Sequence, residues 1–315
     1  MNSDSVIGAT GASGSTLVAC LVPTAPSRRR FWPTIFRCFA KQTWPNKHMV
    51  LIDEKPYSLK LPSEVEHLVV AKGTSIGEKL NIGVEASNAN HFHKWDDDDW
   101  YSPDFLETLV KPLLNRSQVI SIVDRHLTFL VKEWKMYSMP FPTLGGGTIC
   151  FDRKVWKQRK FKDLSLGEDQ DFILNRNGMM RVTPNPLNYV LVRHGTNTWK
   201  TWSNGKTVEE TARAVGTLLP EGPEKLFPPE DLNFYQTLRV GLFAARRSSP
   251  SKKTSISETR PAERNRPLPK GRGFPQLNDV EHAISTSVSC VSGSPRAAIP
   301  QQADTRDSQV YRIVV

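Results

Sequence analysis

Continuous apolar runs alternate with amphipathic stretches over the first 115 residues of the chain. Strands are predicted at 16–24, 48–54, 66–72 and 90–95; the first three end in polar or charged residues, and four aspartates follow the last. Three stretches carry apolar residues at helical spacing, at 27–44, 75–88 and 102–115. In the last stretch we expect Ser102 to be the N-cap and Pro103 the first helical residue. The alternation predicts an α/β fold with a doubly wound, mostly parallel sheet.

The pattern changes after residue 117 and again near residue 246. Strands are predicted at 118–123, 126–134, 146–152 and 188–194, and short helices near 168 and over about 207–217. This order predicts a more mixed second half. From residue 246 the chain is rich in Ser, Pro and Arg and lacks hydrophobic periodicity until a brief apolar close, so we expect a disordered tail. The predicted division is a flexible 1–15, a domain at 16–245 and a basic tail at 246–315.

Composition and charge restrict the functional classes. The 315 residues carry a net charge of +10, of which the segment from Arg246 onward supplies +6 through 12 Lys and Arg against 6 Asp and Glu. The remaining domain is therefore nearly neutral, which argues against a nucleic-acid partner. The four cysteines are scattered, which argues against a zinc site or disulfide framework and favours a reducing compartment. We expect a cytoplasmic protein, because the chain has no apolar run long enough to span a membrane and no basic segment preceding a signal-like stretch.

Polar side chains follow three of the predicted strands. Pro23-Thr24, Asp53-Glu54 and the four aspartates at 96–99 each stand where an apolar run ends. Because parallel strands end at one edge of a sheet and ligands bind there, we expect these groups to converge. Asp96 and Asp98 form a D-x-D spacing, and alternate carboxylates past a strand can reach one Mg²⁺ or Mn²⁺ ion. The alternative is a solvated acidic turn in which Asp99 helps to cap the next helix.

Ordered motifs over residues 17–200 resemble the family 2 glycosyltransferases. They are VPTAPSRRR (22–30), FAKQTW (39–44), LIDE (51–54), GEKLNIG (77–83), WDDDDWYSP (95–103), LGGGTICFD (144–152), LGEDQDF (166–172) and VRHGTNTW (192–199). The resemblance implies a GT-A fold, with a nucleotide-binding half at 16–116 and an acceptor half at 117–245. It also implies a metal-dependent, inverting transfer of a sugar from a nucleoside-diphosphate sugar, expected to be UDP-linked. The expected acceptor is a hydroxyl group of a carbohydrate or another molecule.

The resemblance implies a metal site and a donor site. Asp98 would ligate Mn²⁺ or Mg²⁺, with Asp96 in support and His194 as a third ligand, although a structural histidine bonded to backbone is an alternative for His194. Donor contacts are implied for Asp97 toward the ribose or sugar and for Lys79 toward the phosphates or sugar. The residues implied at the nucleotide base are Pro23, Thr24, Asp53 and Glu54. Glu54 replaces the second aspartate of the family's usual pair, which alters the expected base contact.

The catalytic and acceptor positions come from the later motifs. The expected general base is Asp169, with Glu168 beside it at the start of a helix. An acceptor hydroxyl needs such a carboxylate to take its proton during attack. Gly146 and Gly147 belong to the expected acceptor loop, and Trp199 is a candidate wall on which a sugar could stack, or a core residue.

Three other functions are compatible with parts of the sequence. A nucleotidyltransferase also uses strand-end carboxylates and a metal, but it should show a glycine-rich basic loop after the first strand, and PTAPSRRR contains no glycine. A non-catalytic sugar- or nucleotide-binding protein could keep the same fold. An interaction protein could act through the basic tail alone.

Overall fold

A computed structural model describes residues 16–114, 116, 119–139, 146–173, 179–182, 188–201 and 205–247. The predicted flexible segment 1–15 and the predicted tail beyond residue 247 lie outside the described residues. The chain forms two compact units. Among the described residues, the first comprises those up to Thr128 and from Ser138 to Val192, and the second comprises Phe129–Tyr137 and those from Arg193 onward.

Strands and helices alternate through the first part of the described chain. The strands are β1 Val18–Pro23, β2 Lys47–Asp53, β3 Val65–Val69, β4 His91–Lys94, β5 Trp100–Tyr101, β6 Ile120–Val123, β7 His126–Leu130, β8 Lys135–Met139, β9 Cys150–Asp152, β10 Met179–Val182, β11 Tyr189–Arg193 and β12 Thr217–Leu219. The α-helices are α1 Trp32–Ala40, α2 Ile76–Ala86, α3 Phe105–Val110, α4 Arg153–Gln158, α5 Glu168–Ile173, α6 Val208–Val215 and α7 Pro229–Arg247. Short 3-10 helices occur at Pro26–Phe31, Lys111–Leu113, Gly146–Thr148 and Pro223–Lys225.

The first unit is built on a seven-stranded sheet in the order β10-β6-β9-β4-β1-β2-β3. β1 is parallel to both β2 and β4, and β2 is parallel to β3, whereas β9 is antiparallel to β4 and β6. The predicted α/β class, with a mostly parallel sheet and a mixed second half, is confirmed. The strand order reverses at β1, so the crevice beyond the ends of β1 and β4 is where a ligand binds in sheets of this type.

The core of the first unit explains the apolar runs. Residues Val18 to Val22 of β1 are completely buried, as are Met49 to Ile52 of β2. A strand covered on both faces needs apolar residues at consecutive positions, which is the pattern read from the sequence. Cys20, Cys38 and Cys150 are buried free thiols. Among the described residues, no helix is long and apolar enough to cross a membrane.

The start of the predicted helix at 102–115 was placed wrongly. α3 begins at Phe105 with Asp104 at the N-cap, so Ser102 does not cap it. The backbone N–H of Ser102 donates to the carbonyl of Asn188 at 3.0 Å, directly after β5 pairs with β11. Because this pairing keeps residues 100–102 extended, the helix starts two residues later than the sequence pattern indicates.

Two further elements differ from the sequence prediction. The predicted strand at 126–134 stops at Leu130, and a turn leads into β8. The backbone N–H groups of Glu133 and Trp134 both donate to the carbonyl of Leu130, which closes the turn, and Trp134 has φ +59°, a left-handed conformation. α7 was not predicted, and it ends at Arg247, one residue past the predicted start of the tail.

Candidate active site

The ends of β1, β2 and β4 converge through direct hydrogen bonds. The Thr24 hydroxyl donates to Asp97 Oδ2 at 2.7 Å, which joins the end of β1 to the acidic loop after β4. The Lys79 ammonium donates to the carbonyl of Thr24 at 2.8 Å and to Glu54 Oε1 at 2.9 Å. The predicted convergence of these groups at one sheet edge is therefore observed.

Arg28 is the counterion of the middle two aspartates. Its Nε donates to both Asp97 oxygens at 2.7 and 2.9 Å, and its Nη2 lies 2.6 Å from Asp97 Oδ1 and 2.5 Å from Asp98 Oδ2. Burial alone would lower the pKa of the guanidinium, but the two carboxylates raise it overall. Burial raises the pKa of Asp97 in turn, although the Arg28 charge opposes that shift.

Lys94 joins the acidic loop to the predicted catalytic pair. Its ammonium donates to Asp96 Oδ1 at 2.9 Å and lies 3.6 Å from Asp169 Oδ2 and 3.7 Å from Glu168 Oε1. Burial alone would lower the pKa of Lys94, but the charges of the three acids raise it. Three acidic side chains, from the loop after β4 and the start of α5, therefore surround the buried positive charge of Lys94.

The two acids of the catalytic pair have different surroundings. Glu168 is only 4% exposed at its side chain, and burial raises its pKa to about 7, with the Lys94 charge opposing the shift. Asp169 is 16% exposed at its side chain. Its Oδ2 accepts the N–H of Gly146 at 2.6 Å and its Oδ1 accepts the N–H of Gln170 at 2.7 Å. Asp169 is thus the more accessible carboxylate of the two, in a fixed orientation.

The glycine loop packs against the acidic loop through Tyr101. The Tyr101 hydroxyl accepts the backbone N–H of Asp96 at 2.9 Å, and a Cβ on Gly147 would overlap that hydroxyl. Gly146 has φ +63°, which favours glycine. Its N–H reaches Asp169, and a Cβ there would lie 3.4 Å from Asp96 Oδ2. Gly146 and Gly147 therefore lie beside the acids, and their contact with an acceptor stays a prediction.

Asp99 does not cap a helix. Its Oδ2 accepts the hydroxyl of Tyr189 at 2.5 Å and its Oδ1 accepts the N–H of Val192 at 2.9 Å, and the side chain is buried. Burial, followed by the charges of Asp98 and Asp96, raises its pKa well above the usual range. Asp99 fastens the acidic loop to β11.

The predicted base contacts of Asp53 are occupied within the protein. Asp53 is fully buried, its Oδ2 accepts Nε and Nη2 of Arg29 at 2.8 and 2.6 Å, and its Oδ1 accepts the N–H of Glu54 at 2.6 Å. The bond from Lys79 is the main cause of a lowered pKa at Glu54. A nucleotide that used Asp53 would have to share its oxygens with Arg29.

The GEKLNIG motif fastens α2 to the segment that precedes α5. The N–H of Gly77 donates to the carbonyl of Leu164 at 2.9 Å. The Asn81 side chain donates to the carbonyl of Phe161 at 2.9 Å and accepts the N–H of Phe161 at 3.0 Å. A Cβ on Gly77 would overlap the carbonyl oxygen of Lys162. The motif thus connects the strand ends, through Lys79, with the segment that leads to Glu168 and Asp169.

Acidic groups outnumber basic groups at the ends of β1 and β4. Among the described residues, Arg28 and Lys94 pair with five of the acids there and Lys79 donates to the carbonyl of Thr24, so these cations are fewer than the six carboxyl groups. The six acids are Asp96, Asp97, Asp98, Asp99, Glu168 and Asp169. Within the described part of the chain, no three His, Cys, Asp or Glu side chains form a ready-made metal cage. A divalent ion held by one or two carboxylates and completed by phosphate oxygens fits this donor set, and Asp96 and Asp98 would hold it.

The last two candidates belong to the second compact unit. His194 is buried, its ring Nδ1 lies 2.9 Å from the Thr196 hydroxyl, and its backbone N–H donates to Asn197 at 3.0 Å. The Trp199 indole donates to the carbonyl of Thr201 at 3.0 Å. The metal role of His194 and the acceptor role of Trp199 stay predictions.

Sequence reasoning missed the two cations of the site. Arg28 was visible only as part of a basic run after the first strand. Lys94 carried a stronger signal, because a lysine at the end of a completely buried four-residue strand must have acidic partners. Tyr101 and Tyr189 gave no signal that separates them from core aromatics.

No protein-family model matches the chain, and no curated protein matches it. Among solved structures it is similar to S. aureus TarS, with a TM-score of 0.43 and 15% identity over 57% of this chain and 37% of that one. A structure of TarS 1–349 in complex with UDP gives 0.41 and 14% over 56% and 60%, and one with UDP-GlcNAc gives 0.39 and 13% over 56% and 58%. The chain thus spans less than two thirds of each matched chain. These scores and identities do not assign it to a family.

Proposed function

We propose that this protein is a metal-dependent, inverting glycosyltransferase that uses a nucleoside-diphosphate sugar, expected to be UDP-linked, and a hydroxyl acceptor. One observation carries the proposal. Lys94 holds Asp96, of the D-x-D spacing, and Asp169, the predicted base, within 3.6 Å of one ammonium group at the switch point of the sheet. The predicted metal ligand on the donor side and the predicted base on the acceptor side can then act on the same pair of substrates.

Each residue has a defined part in the proposed transfer. The acceptor oxygen attacks the anomeric carbon from the face opposite the diphosphate and loses its proton to the Asp169 carboxylate. The bond between that carbon and the phosphate oxygen breaks, and its electron pair leaves with the diphosphate. The Gly146 N–H and the Lys94 ammonium hold Asp169 Oδ2 in place. Mn²⁺ or Mg²⁺, held by Asp96 and Asp98, would neutralise charge that develops on the leaving group.

Burial favours Asp169 over Glu168 as the base. Glu168 has a pKa of about 7 and a side chain that is only 4% exposed. It is therefore incompletely ionised near neutral pH and is poorly accessible to an acceptor. Asp169 is more accessible, and both of its oxygens are already oriented by backbone N–H groups.

The test is Asp169→Asn, assayed with nucleotide sugars in the presence of Mn²⁺. A positioned base contributes about 10²- to 10⁴-fold, so kcat should fall by that factor while the Kd for UDP changes by less than about twofold. Asp171→Asn is the matched control, because Asp171 lies on the same helix and pairs with Lys162 and Arg159. It should keep kcat within a few-fold of wild type.

Two further measurements in the same assay test the metal requirement and the stereochemistry of the proposed transfer. Turnover should require Mn²⁺ or Mg²⁺ and stop in EDTA, because the ion that Asp96 and Asp98 would hold neutralises the charge on the leaving diphosphate. The product should have the inverted anomeric configuration. Full activity in chelator would remove the metal from the proposal, and a retained configuration would remove the single displacement.

A further inference from the structure

Arg28 and Arg29 are the more exposed cations beside the strand ends, and of these two Arg28 contacts the acidic loop, whereas Arg29 pairs with Asp53. The side chain of Arg28 is 22% exposed, whereas those of Lys79 and Lys94 are each 5% exposed. Lys79 is bonded to the carbonyl of Thr24 and to Glu54, and Lys94 is enclosed by three acids. An anion that enters from solvent can therefore reach Arg28 more easily than the two lysines.

Asp97 holds Arg28 firmly, whereas Asp98 makes a single contact with it. Nε and Nη2 both engage the Asp97 carboxylate, which is 3% exposed, and only Nη2 touches Asp98, which is 11% exposed. Among the described residues, none accepts a hydrogen bond from Nη1. The guanidinium is planar and has five N–H donors. It can stay on Asp97 and still offer N–H groups to a second anion.

We propose that Arg28 is a ligand of the donor's diphosphate. Held on Asp97, its guanidinium gives up Asp98 and donates to phosphate oxygens when the nucleotide binds. The exchange removes the Arg28 charge from Asp98, the predicted metal ligand, at the time when the proposed donor site gains a divalent cation. This inference rests on the proposed function, because it takes the diphosphate to lie at the ends of β1 and β4.

The test compares Arg28→Met with wild type in two binding measurements. With Mn²⁺ present, the Kd for UDP should rise about 10- to 100-fold, because a charge-assisted hydrogen bond is lost. The affinity for uridine, which lacks phosphate, should change by less than about twofold. Without nucleotide, the variant should bind Mn²⁺ more tightly than wild type in an EPR titration, because a positive charge beside Asp98 is gone.

Arg30→Met is the matched control, since it removes the same charge from the same 3-10 helix at an exposed position. It should leave the Kd for UDP within about twofold of wild type. An equal loss in both variants would make the effect one of net charge and overturn the inference. If Arg28 is only structural, Arg28→Met weakens Mn²⁺, uridine and UDP binding together, which also overturns it.

Arg28→Lys keeps the test decisive if Arg28→Met does not fold. Lysine retains the charge but not the planar set of donors, so UDP affinity should fall while the unfolding midpoint stays near wild type. Wild-type affinity for UDP in Arg28→Lys and Arg28→Met would overturn the role of Arg28 and leave the proposed function intact. If wild type binds none of UDP, GDP, CDP or ADP in Mn²⁺, the proposed function and the inference both fail.

Discussion

At the scale of single residues, the ionisation of Glu168 should be visible in the stability of the protein. Its pKa is raised from 4.5 to about 7, first by burial and then by the acids around it, with Lys94 opposing the shift. The folded state therefore keeps a proton that the unfolded chain releases over this pH range. The stabilisation of the folded state by the protonated Glu168 side chain is fully present below about pH 4.5. It is lost as the pH rises through about 7.

Glu168→Gln should remove this part of the pH dependence. We expect the free energy of unfolding of wild type, relative to that of the variant, to fall by about 1–3 kcal/mol between pH 4.5 and 7.5. Urea denaturation of both proteins at several pH values measures the difference. A difference that stays constant across this range would show that Glu168 is ionised throughout.

At the scale of elements, different residues of the GEKLNIG motif connect α2 with the central strands and with the segment that precedes α5. Gly83 packs near Leu21 and Ile52 of the central strands, where an added Cβ would come within 3.0–3.1 Å. Gly77 and Asn81 bond to the segment 161–164, which precedes α5. The helix therefore contacts both the core of the sheet and the segment that leads to the predicted catalytic pair.

Gly77→Ala tests this connection. The added Cβ would overlap the carbonyl of Lys162, so the segment must move, at a cost of about 1–3 kcal/mol in the free energy of unfolding. Urea denaturation measures that loss, and kcat should fall with it because the segment leads to Asp169. Gly241→Ala in α7 is the control, since a Cβ there meets nothing within 4 Å and alanine favours a helix. Unchanged stability in Gly77→Ala would show that α2 does not fix this segment.

At the scale of the whole molecule, α7 packs into the second unit, which the sequence pattern did not predict. Tyr235 of α7 is 1% exposed and its ring contacts Phe129 and Phe227 within the second unit.

Truncation after Arg247 should keep the unfolding midpoint and the UDP affinity of the full chain, because the sequence beyond it has no periodic apolar face. Truncation after Pro228 should lower the midpoint by several degrees, since it exposes the rings of Phe129 and Phe227. Thermal unfolding followed by circular dichroism measures both, and a lower midpoint after the first truncation would place the later residues in the fold.

The sequence by itself determined strands β1 to β4 and the edge where the polar groups meet, whereas β10 was not predicted. Apolar runs that must be buried on both faces are local signals, and parallel pairing then places the strand ends side by side. For that reason Thr24, Glu54 and Asp97 could be grouped before any contact was known. The class of reaction, which the order of motifs indicates, and Asp169 as its base stay predictions.

Only the tertiary structure decided which charges face one another. Arg28 meets Asp97 across 69 positions of the chain, and Tyr189 meets Asp99 across 90. A local pattern contains no information at that separation, so the acids of 96–99 looked alike, although one is a buried anchor and two share a guanidinium. The same limit applies to Ser102, whose extended backbone is imposed by the strand pair β5 and β11 and not by its neighbours in sequence. Local periodicity specifies elements, and contacts between distant elements specify the partners of each charge.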